Sequence, residues 1–222
     1  MKSLGLVAAV LLGLYGVIQD AYPTYSYRYR LTIAIEIDGK VHSGSSVIEV
    51  IWRGQPDFPG AGSFTPHIRG QAAYVDLESR GAIVATLSNF ESYGPAQDGA
   101  LSALWLVPRA FLGRPMSNDD LPELPKLRGR RELASNNMPR LIWFSDVANP
   151  KTARRITAAE FPTVFGPSAR LRTAEVEITD APITVDIDKK FPWFGILEKP
   201  LGAIEVSYGF VLDKWAFIGG AT

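Results

Sequence analysis

The chain has 222 residues, 46% hydrophobic and 21% charged, the balance of a globular protein long enough for one sizeable domain or two small ones. Its 23 basic residues offset 23 acidic ones, so no global field draws it to nucleic acid or to an acidic substrate. It has no cysteine, which excludes disulfides, thiolate catalysis, cysteine-ligated zinc and a lipidated cysteine.

Leu4 to Ile18 is uninterrupted apolar or glycine sequence behind Lys2, and Asp20 is the first acidic residue. As a helix this run reaches about 22 Å, short of the roughly 30 Å hydrocarbon core and close to a signal-peptide core. The small-residue cleavage pattern is missing, however. A cut after Ala21 places Gln19 at the −3 position, and a cut after Gly16 places Leu14 there. Tyr15, Tyr22, Tyr25, Tyr27 and Tyr29 are five of the eight tyrosines, and they cluster where an interfacial aromatic belt would lie. The expectation is an uncleaved signal anchor over residues 1–21, held by Leu4, Leu11, Leu14, Tyr15 and Ile18. The protein would then cross the inner (cytoplasmic) membrane once, with a single β-rich domain, residues 22–222, facing the periplasm. Secretion to the periplasm after cleavage is the alternative.

Residues 25–37 alternate between aromatic or aliphatic odd positions and small or polar even ones, the period of a strand with one buried face. Asp38-Gly39 supplies a two-residue turn, and Lys40 to Trp52 returns as the second strand. That turn fixes the register: Ile35 faces His42, Ile33 faces Gly44, Tyr29 faces Ile48, and Arg28 faces Glu49 on the opposite side. Gly44-Ser45-Ser46 places small residues opposite Ile33 and Leu31. A bulge or a second element crossing closely should fill that space, and a ligand approaching the backbone is the sharper reading. The arms are long for globular strands, so part of Tyr25 to Tyr29 could be linker, or the hairpin could bend.

Arg53 to Pro66 reads as a loop, within which Gly60-Ala61-Gly62-Ser63 is a weak anion-nest pattern without the lysine and helix of a phosphate loop. His67 to Leu77 and Ala82 to Leu87 form a second predicted hairpin around Glu78-Ser79-Arg80-Gly81. Asn89 to Gly99 is loop, and Ala100 to Val107 reads as a buried helix ended by Pro108. Residues 108–138 read as an irregular, proline-punctuated loop whose basic run, Lys126, Arg128, Arg130 and Arg131, is a solvated surface or an attraction for anionic headgroups. Arg140 to Val147 is strand-like, Asn149-Pro150 a turn, Thr157 to Glu160 a capping box opening a short helix, and Arg170 to Thr179 an alternating strand. Val185 to Lys190 suggests a helical turn, and Ile204 to Ile218 one or two strands carrying Tyr208, Phe210, Trp215 and Phe217. The expected fold is therefore mainly β, a β-rich α+β domain whose antiparallel sheet or sandwich is built on the long N-terminal hairpin.

Signatures of catalysis are missing. His42 and His67 are the only histidines, too few for a histidine-rich metal site, and no metal or cofactor is expected. Neither Gly-x-Ser-x-Gly nor Ser-x-x-Lys occurs, and no residue is assigned as catalytic. Asp119-Asp120, Asp186 and Asp188, Asp76, Asp146 and Asp180 all read as turn or capping carboxylates. His42, Ser45, Ser46, His67 and Arg69 remain as weak binding candidates. The leading expectation is a non-catalytic binding or assembly module of the envelope, with the membrane and another envelope protein as partners and no nucleic acid. An envelope hydrolase using carboxylates with His42 or His67 is the alternative.

Tyr27-Arg28-Tyr29-Arg30-Leu31-Thr32, then Gly44-Ser45-Ser46-Val47-Ile48-Glu49-Val50, behind a short anchor, resembles the opening of uncharacterised bacterial membrane-anchored proteins. Arg69-Gly70-Gln71-Ala72, Val75-Asp76-Leu77 and Phe165-Gly166-Pro167 stand where that group's recurring segments are expected. The resemblance covers most of the chain. It implies membrane anchorage and no particular activity.

Overall fold

The computed structural model describes residues 22–56, 63–88, 100–199, 202–206 and 211–220. The expected anchor, Gly60-Ala61-Gly62 of the nest pattern, the 89–99 loop, Tyr208 and Phe210 lie outside them.

The hairpin forms with the register that its turn dictates. Strand β1 (Thr24–Ile37) pairs antiparallel with β2 (Lys40–Gly54), with Ile35 opposite His42 and Tyr29 opposite Ile48. Asp38 and Gly39 both take positive φ, 51° and 76°, as a type I′ turn requires. Both arms run at full length, so Tyr25 to Tyr29 is strand and not linker. Tyr29, Leu31, Ile33 and Ile35 of β1 and Ile48 and Val50 of β2 are buried on one face. The buried Tyr29 hydroxyl donates to the Ala103 carbonyl at 2.8 Å, which satisfies it inside the core.

Strands β3 (Phe64–Arg69), β4 (Ala73–Asp76) and β5 (Ala82–Ala85) follow the hairpin. Helix α1 (Ala103–Leu112) precedes β6 (Arg130–Glu132), β7 (Leu141–Phe144) and β8 (Ala153–Ile156). Helix α2 (Phe161–Phe165), β9 (Arg170–Ile178), helix α3 (Phe194–Leu197), β10 (Ala203–Glu205) and β11 (Val211–Asp213) complete the order. Sheet A has the order β3-β2-β1-β9-β6 and sheet B the order β4-β5-β7-β8; β10 and β11 pair with each other. Every strand pairing is antiparallel. The protein is thus β-rich with short helices, as its alternating segments predict.

The segment expected as one strand, His67 to Leu77, is divided between the two sheets. β3 pairs with β2 up to Arg69 opposite Glu49. At Gly70 (φ 109°) the chain leaves the plane of sheet A, and β4 passes over the core face of β2 as the edge of sheet B. The approach is backbone on side-chain space: a Cβ on Gly44 would stand 1.9 Å from the Tyr74 carbonyl oxygen and 2.6 Å from its carbon. The Ser46 hydroxyl donates to the Gln71 carbonyl at 2.7 Å. Gly44 and Ser46 are therefore small because a second element crosses there, the plainer of the two sequence readings. Where β3 departs, β2 would be left with an open edge. Thr184 closes it, its hydroxyl accepting from the Val47 N–H at 2.9 Å and its own N–H donating to the Val47 carbonyl at 3.1 Å.

One core serves both sheets. Phe144, Phe191, Trp193 and Phe217 bring sheet B and the C-terminal third together, with ring centroids 4.8–6.4 Å apart. Such pairs add about 0.5–1.5 kcal/mol each beyond area burial.

Two expectations need correction. Helix α1 does not stop at Pro108 but runs on to Leu112, where Gly113 caps it in the left-handed conformation. Proline removes one backbone bond there, and burial of Leu104, Leu106, Val107 and Pro108 offsets the loss. Residues 108–138 are not an irregular loop. They hold the end of α1, a 3-10 run over Asn118–Lys126 with Leu121 and Leu124 fully buried, and β6, which covers the open edge of β9. Prolines 122 and 125 fit because 3-10 geometry tolerates them where an α-helix does not.

Gly44→Ala is expected to lower unfolding stability by about 2–3 kcal/mol, because the obstructing atoms are backbone and cannot rotate away. Gly195→Ala, in α3 with open space around it, should be neutral or stabilising by up to about 1 kcal/mol. Urea midpoints at constant slope check both.

Candidate functional site

The sequence-derived candidates do not converge. His42 lies on the core-side face of β2, and its Nδ1 is 3.0 Å from the Asp76 carbonyl, which can only accept, so Nδ1 carries the proton. His67 lies in β3 opposite Ile51. Nine positions along β2 separate the two, about 30 Å, and an odd offset puts them on opposite faces. Near His42 the exposed Glu78 carboxyl is committed to Lys40, whose hydrogen bond and charge hold it below its usual range, with His42 adding a smaller pull. Among the described residues no group of three or more histidine and carboxylate side chains could hold a metal.

Ser46 is buried as the tie to Gln71, and Ser45 faces solvent on the other side of the strand. Arg69 belongs to a charge ladder on the outer face of sheet A. Glu49, only 8% exposed, accepts from Arg28 Nε at 3.0 Å and from an Arg69 guanidinium nitrogen at 2.9 Å. Further across, Arg30 and Arg130 flank Glu177 at 3.4 Å each, Arg130 also reaches Glu175 at 3.2 Å, and Arg170 and Arg172 share Glu36 at 2.9 and 3.3 Å. The face intersperses both signs, six guanidinium groups against four carboxylates in these pairs.

The basic run is divided: Lys126 ends the 3-10 run, Arg128 lies in the link over residues 127–129, and Arg130 and Arg131 lie in β6 at the edge of sheet A. Lys126 pairs with Glu123 at 2.7 Å, Arg130 joins the ladder, and the Arg131 guanidinium lies 4.8 Å from the Phe111 ring centroid. Arg128 is exposed and, among the described residues, donates to the carbonyls of Pro125 and Leu127. Ahead of it, Ser117 and Asp120 form a capping box, and Arg114 beside Asp120 holds that carboxyl well below the usual carboxylate range.

Sequence reasoning missed two features. The first is Gln71, whose backbone and side chain tie the sheet switch together. Its Oε1 accepts from the Asp186 and Ile187 N–H groups at 2.5 and 2.8 Å, and its Nε2 donates to Asp186 Oδ1 at 2.6 Å. The neighbouring Ala72 N–H donates to the Phe217 carbonyl at 2.8 Å, and the Gly219 N–H to the Gly70 carbonyl at 2.9 Å. The second is a cavity of about 200 Å³ walled by Met138, Pro139, Leu141, Ile156 and Leu171, with Arg140, Arg155, Thr157 and Glu160 among its polar groups. Glu160 is engaged as the capping-box carboxylate, accepting from the Thr157 N–H and hydroxyl at 2.8 and 2.9 Å. The cavity is smaller than the roughly 300–1,000 Å³ of ordinary ligand pockets, and the Thr157 hydroxyl and Glu160 carboxylate that meet at its wall are the two halves of the capping box. Its walls come from four separated stretches, so no local pattern announces it.

The opposite end of sheet A from the Asp38-Gly39 turn holds the first described residues. There the Gly54 N–H donates to the Pro23 carbonyl at 2.9 Å, and a Cβ on Gly54 would stand 2.9 Å from Tyr22 and Pro23 backbone atoms. Tyr22 is 39% exposed, and Tyr25 and Phe64 rings meet at 5.9 Å. His67 lies in this region with its imidazole pushed below its usual range by partial burial and then by the like charge of Arg53.

Comparison of the chain with protein families, with curated proteins and with solved structures finds no match.

Gln71→Leu should cost about 2–3 kcal/mol, since it strands two backbone donors and one carboxylate at once, and chemical denaturation measures it. His67 should titrate below 6.5 in imidazole-resolved NMR, and Arg53→Ala should raise the midpoint toward 6.5. Because the folded state disfavours its charged form, this group costs stability as pH falls through 6.5 toward the folded midpoint. His67→Gln should remove that contribution.

Proposed function

We propose that the protein is a membrane-anchored, non-catalytic binding or assembly module of the cell envelope, with its β-rich domain outside the cytoplasmic membrane. One observation carries this reading: the apolar run Leu4–Ile18 is followed by a sheet that is locked from its first residues. Pro23 is already hydrogen-bonded to Gly54, and β1 begins at Thr24. Four residues, 19–22, separate the apolar run from that tie, and fully extended they span at most about 14 Å. A chain inserted through Leu4–Ile18 would therefore hold the domain against the bilayer, with the Asp38-Gly39 turn and sheet B projecting away. No helix among the described residues is long and apolar enough to cross a membrane, so residues 1–21 carry the anchor in this reading. The long antiparallel hairpin and the crossing of sheet B over sheet A give the module a sandwich-like body. Its role as a scaffold accords with what its side chains are occupied with: the candidates for chemistry are spent on a strand tie, a charge ladder and caps.

The hydrolase reading draws no support from the placement of His42 and His67, which share neither a face nor a carboxylate pair.

Expression of the full chain in a bacterium, with cell fractionation and intact mass, tests the proposal. The expected result is full mass in the membrane fraction. A soluble periplasmic product lacking about twenty residues, the length of a signal peptide, would overturn it.

A further inference from the structure

We propose that the end of sheet A bearing Tyr22, Tyr25, Phe64 and Arg53 is a bilayer-contacting rim, binding anionic lipid headgroups in its own right. This rests on the anchored reading and adds to it that the domain does not merely hang from its anchor but docks on the surface beside it.

Three observations lead there. The first is register. Thr24 pairs with Arg53, Arg53 with Thr65 and Gly54 with Phe64, so the start of β1, the end of β2 and the start of β3 finish together at the end where the chain arrives from residue 21. The second is composition. Tyr22 is an exposed aromatic, and Tyr25 and Phe64 are only partly buried, in contact with each other at the margin of the core. Amphipathic rings at that height match the headgroup zone, where tyrosine is favoured because its body is apolar and its hydroxyl polar. The third is charge. Arg53 is exposed at this end, on the strand between Thr24 and Thr65. Arg28, Arg69 and Arg130, further along the same sheet, all have carboxylate partners, whereas no carboxylate is paired with Arg53 among the described residues. Arg128, also unpaired with a carboxylate there, stands at the same end but further back, because β9 and β6 stop level with Tyr29 and Arg30. A bilayer that meets the β1–β2–β3 tip first reaches Arg128 if the sheet tilts. The occupant of this rim is therefore a lipid surface. The apolar run that ends at Ile18 delivers this end to it, and aromatic plus cationic groups are what such a surface selects.

The missing cysteines allow a clean test. Thr24→Cys on the rim and Val41→Cys, 54% exposed near the far turn, each accept one fluorophore in the full chain. The two sites are about 40 Å apart along the hairpin. The labelled chains are reconstituted into phosphatidylcholine vesicles with and without phosphatidylglycerol, carrying a headgroup-linked quencher. A version with about twenty Gly and Ser residues inserted between Asp20 and Ala21 lets the domain wander roughly 25 Å from its anchor. The expected result is that the rim label stays quenched in anionic vesicles despite the long linker, while the far label does not. Adding Tyr22→Ser and Arg53→Glu should lower the ratio of docked to free domain about fivefold or more, in keeping with the worth of one basic residue near an anionic surface. If the long-linker chain floats with vesicles but its rim label is no more quenched than the far one, the docking rim is refuted and the anchor stands. If the chain does not float with vesicles at all, the anchored reading fails and this inference falls with it.

Discussion

The structure depends on one steric constraint, the passage of the β4 backbone through the space above Gly44. A strand that crosses the face of another at that distance leaves no room for a Cβ, and its ladder hydrogen bonds run to β5 and not to the strand it crosses. The surrounding contacts replace them. Ser46 ties to the Gln71 carbonyl, His42 reaches the Asp76 carbonyl, and Gly70 supplies the positive φ that turns the chain out of sheet A. From that point Gln71 gathers the 184–187 segment, and the 217–219 segment binds Ala72 and Gly70. Residues far apart in sequence are held at one kink, so sheet A, sheet B and the C-terminal third share a single core. The stretch Arg69-Gly70-Gln71-Ala72, which stands out in the sequence, is occupied with architecture.

The outer face of sheet A sets charges of both signs side by side in a chain with zero net charge. Three of its glutamates sit between two guanidinium groups: Glu49 between Arg28 and Arg69, Glu177 between Arg30 and Arg130, Glu36 between Arg170 and Arg172. Exposed pairs of this kind contribute little singly. Glu49 differs because it is nearly buried, and two hydrogen-bonded cations compensate its desolvation. Among the described residues, Arg53 and Arg128 have no carboxylate partner, and both lie toward the end of the sheet where β1 begins. That asymmetry gives the rim its directional character.

The placement of the histidines has a simple cause. On a strand, neighbours in chemistry must be neighbours in register and share a parity. His42 and His67 satisfy neither condition, because one lies near the turn on the core side and the other near the open end on the outer side. The carboxylates closest to capping positions are spent there: Asp120 on Arg114 and Ser117, Glu160 on Thr157, Asp213 on Ala216.

The sequence by itself determined the local pieces. Asp38-Gly39 specified the hairpin and its whole register, because a two-residue turn admits one pairing and the period-2 pattern forbids a slip. The alternation over Arg170–Ile178 and the capping box at Thr157 were equally legible, since each depends on residues within one strand or one turn. The tertiary structure alone decided where β9 would pair, that Arg130–Glu132 would become a strand, and that the run from His67 would split between two sheets. An open β-edge takes whichever segment arrives with free backbone groups, and backbone groups are the same in every residue. Side-chain pattern therefore carries no address for them. The same reason hid the cavity and the role of Gln71, whose partners lie about 115 positions away in the chain. Gly44 marks the boundary between the two kinds of information: its smallness signalled that something must cross, and only the folded chain showed that it was Tyr74.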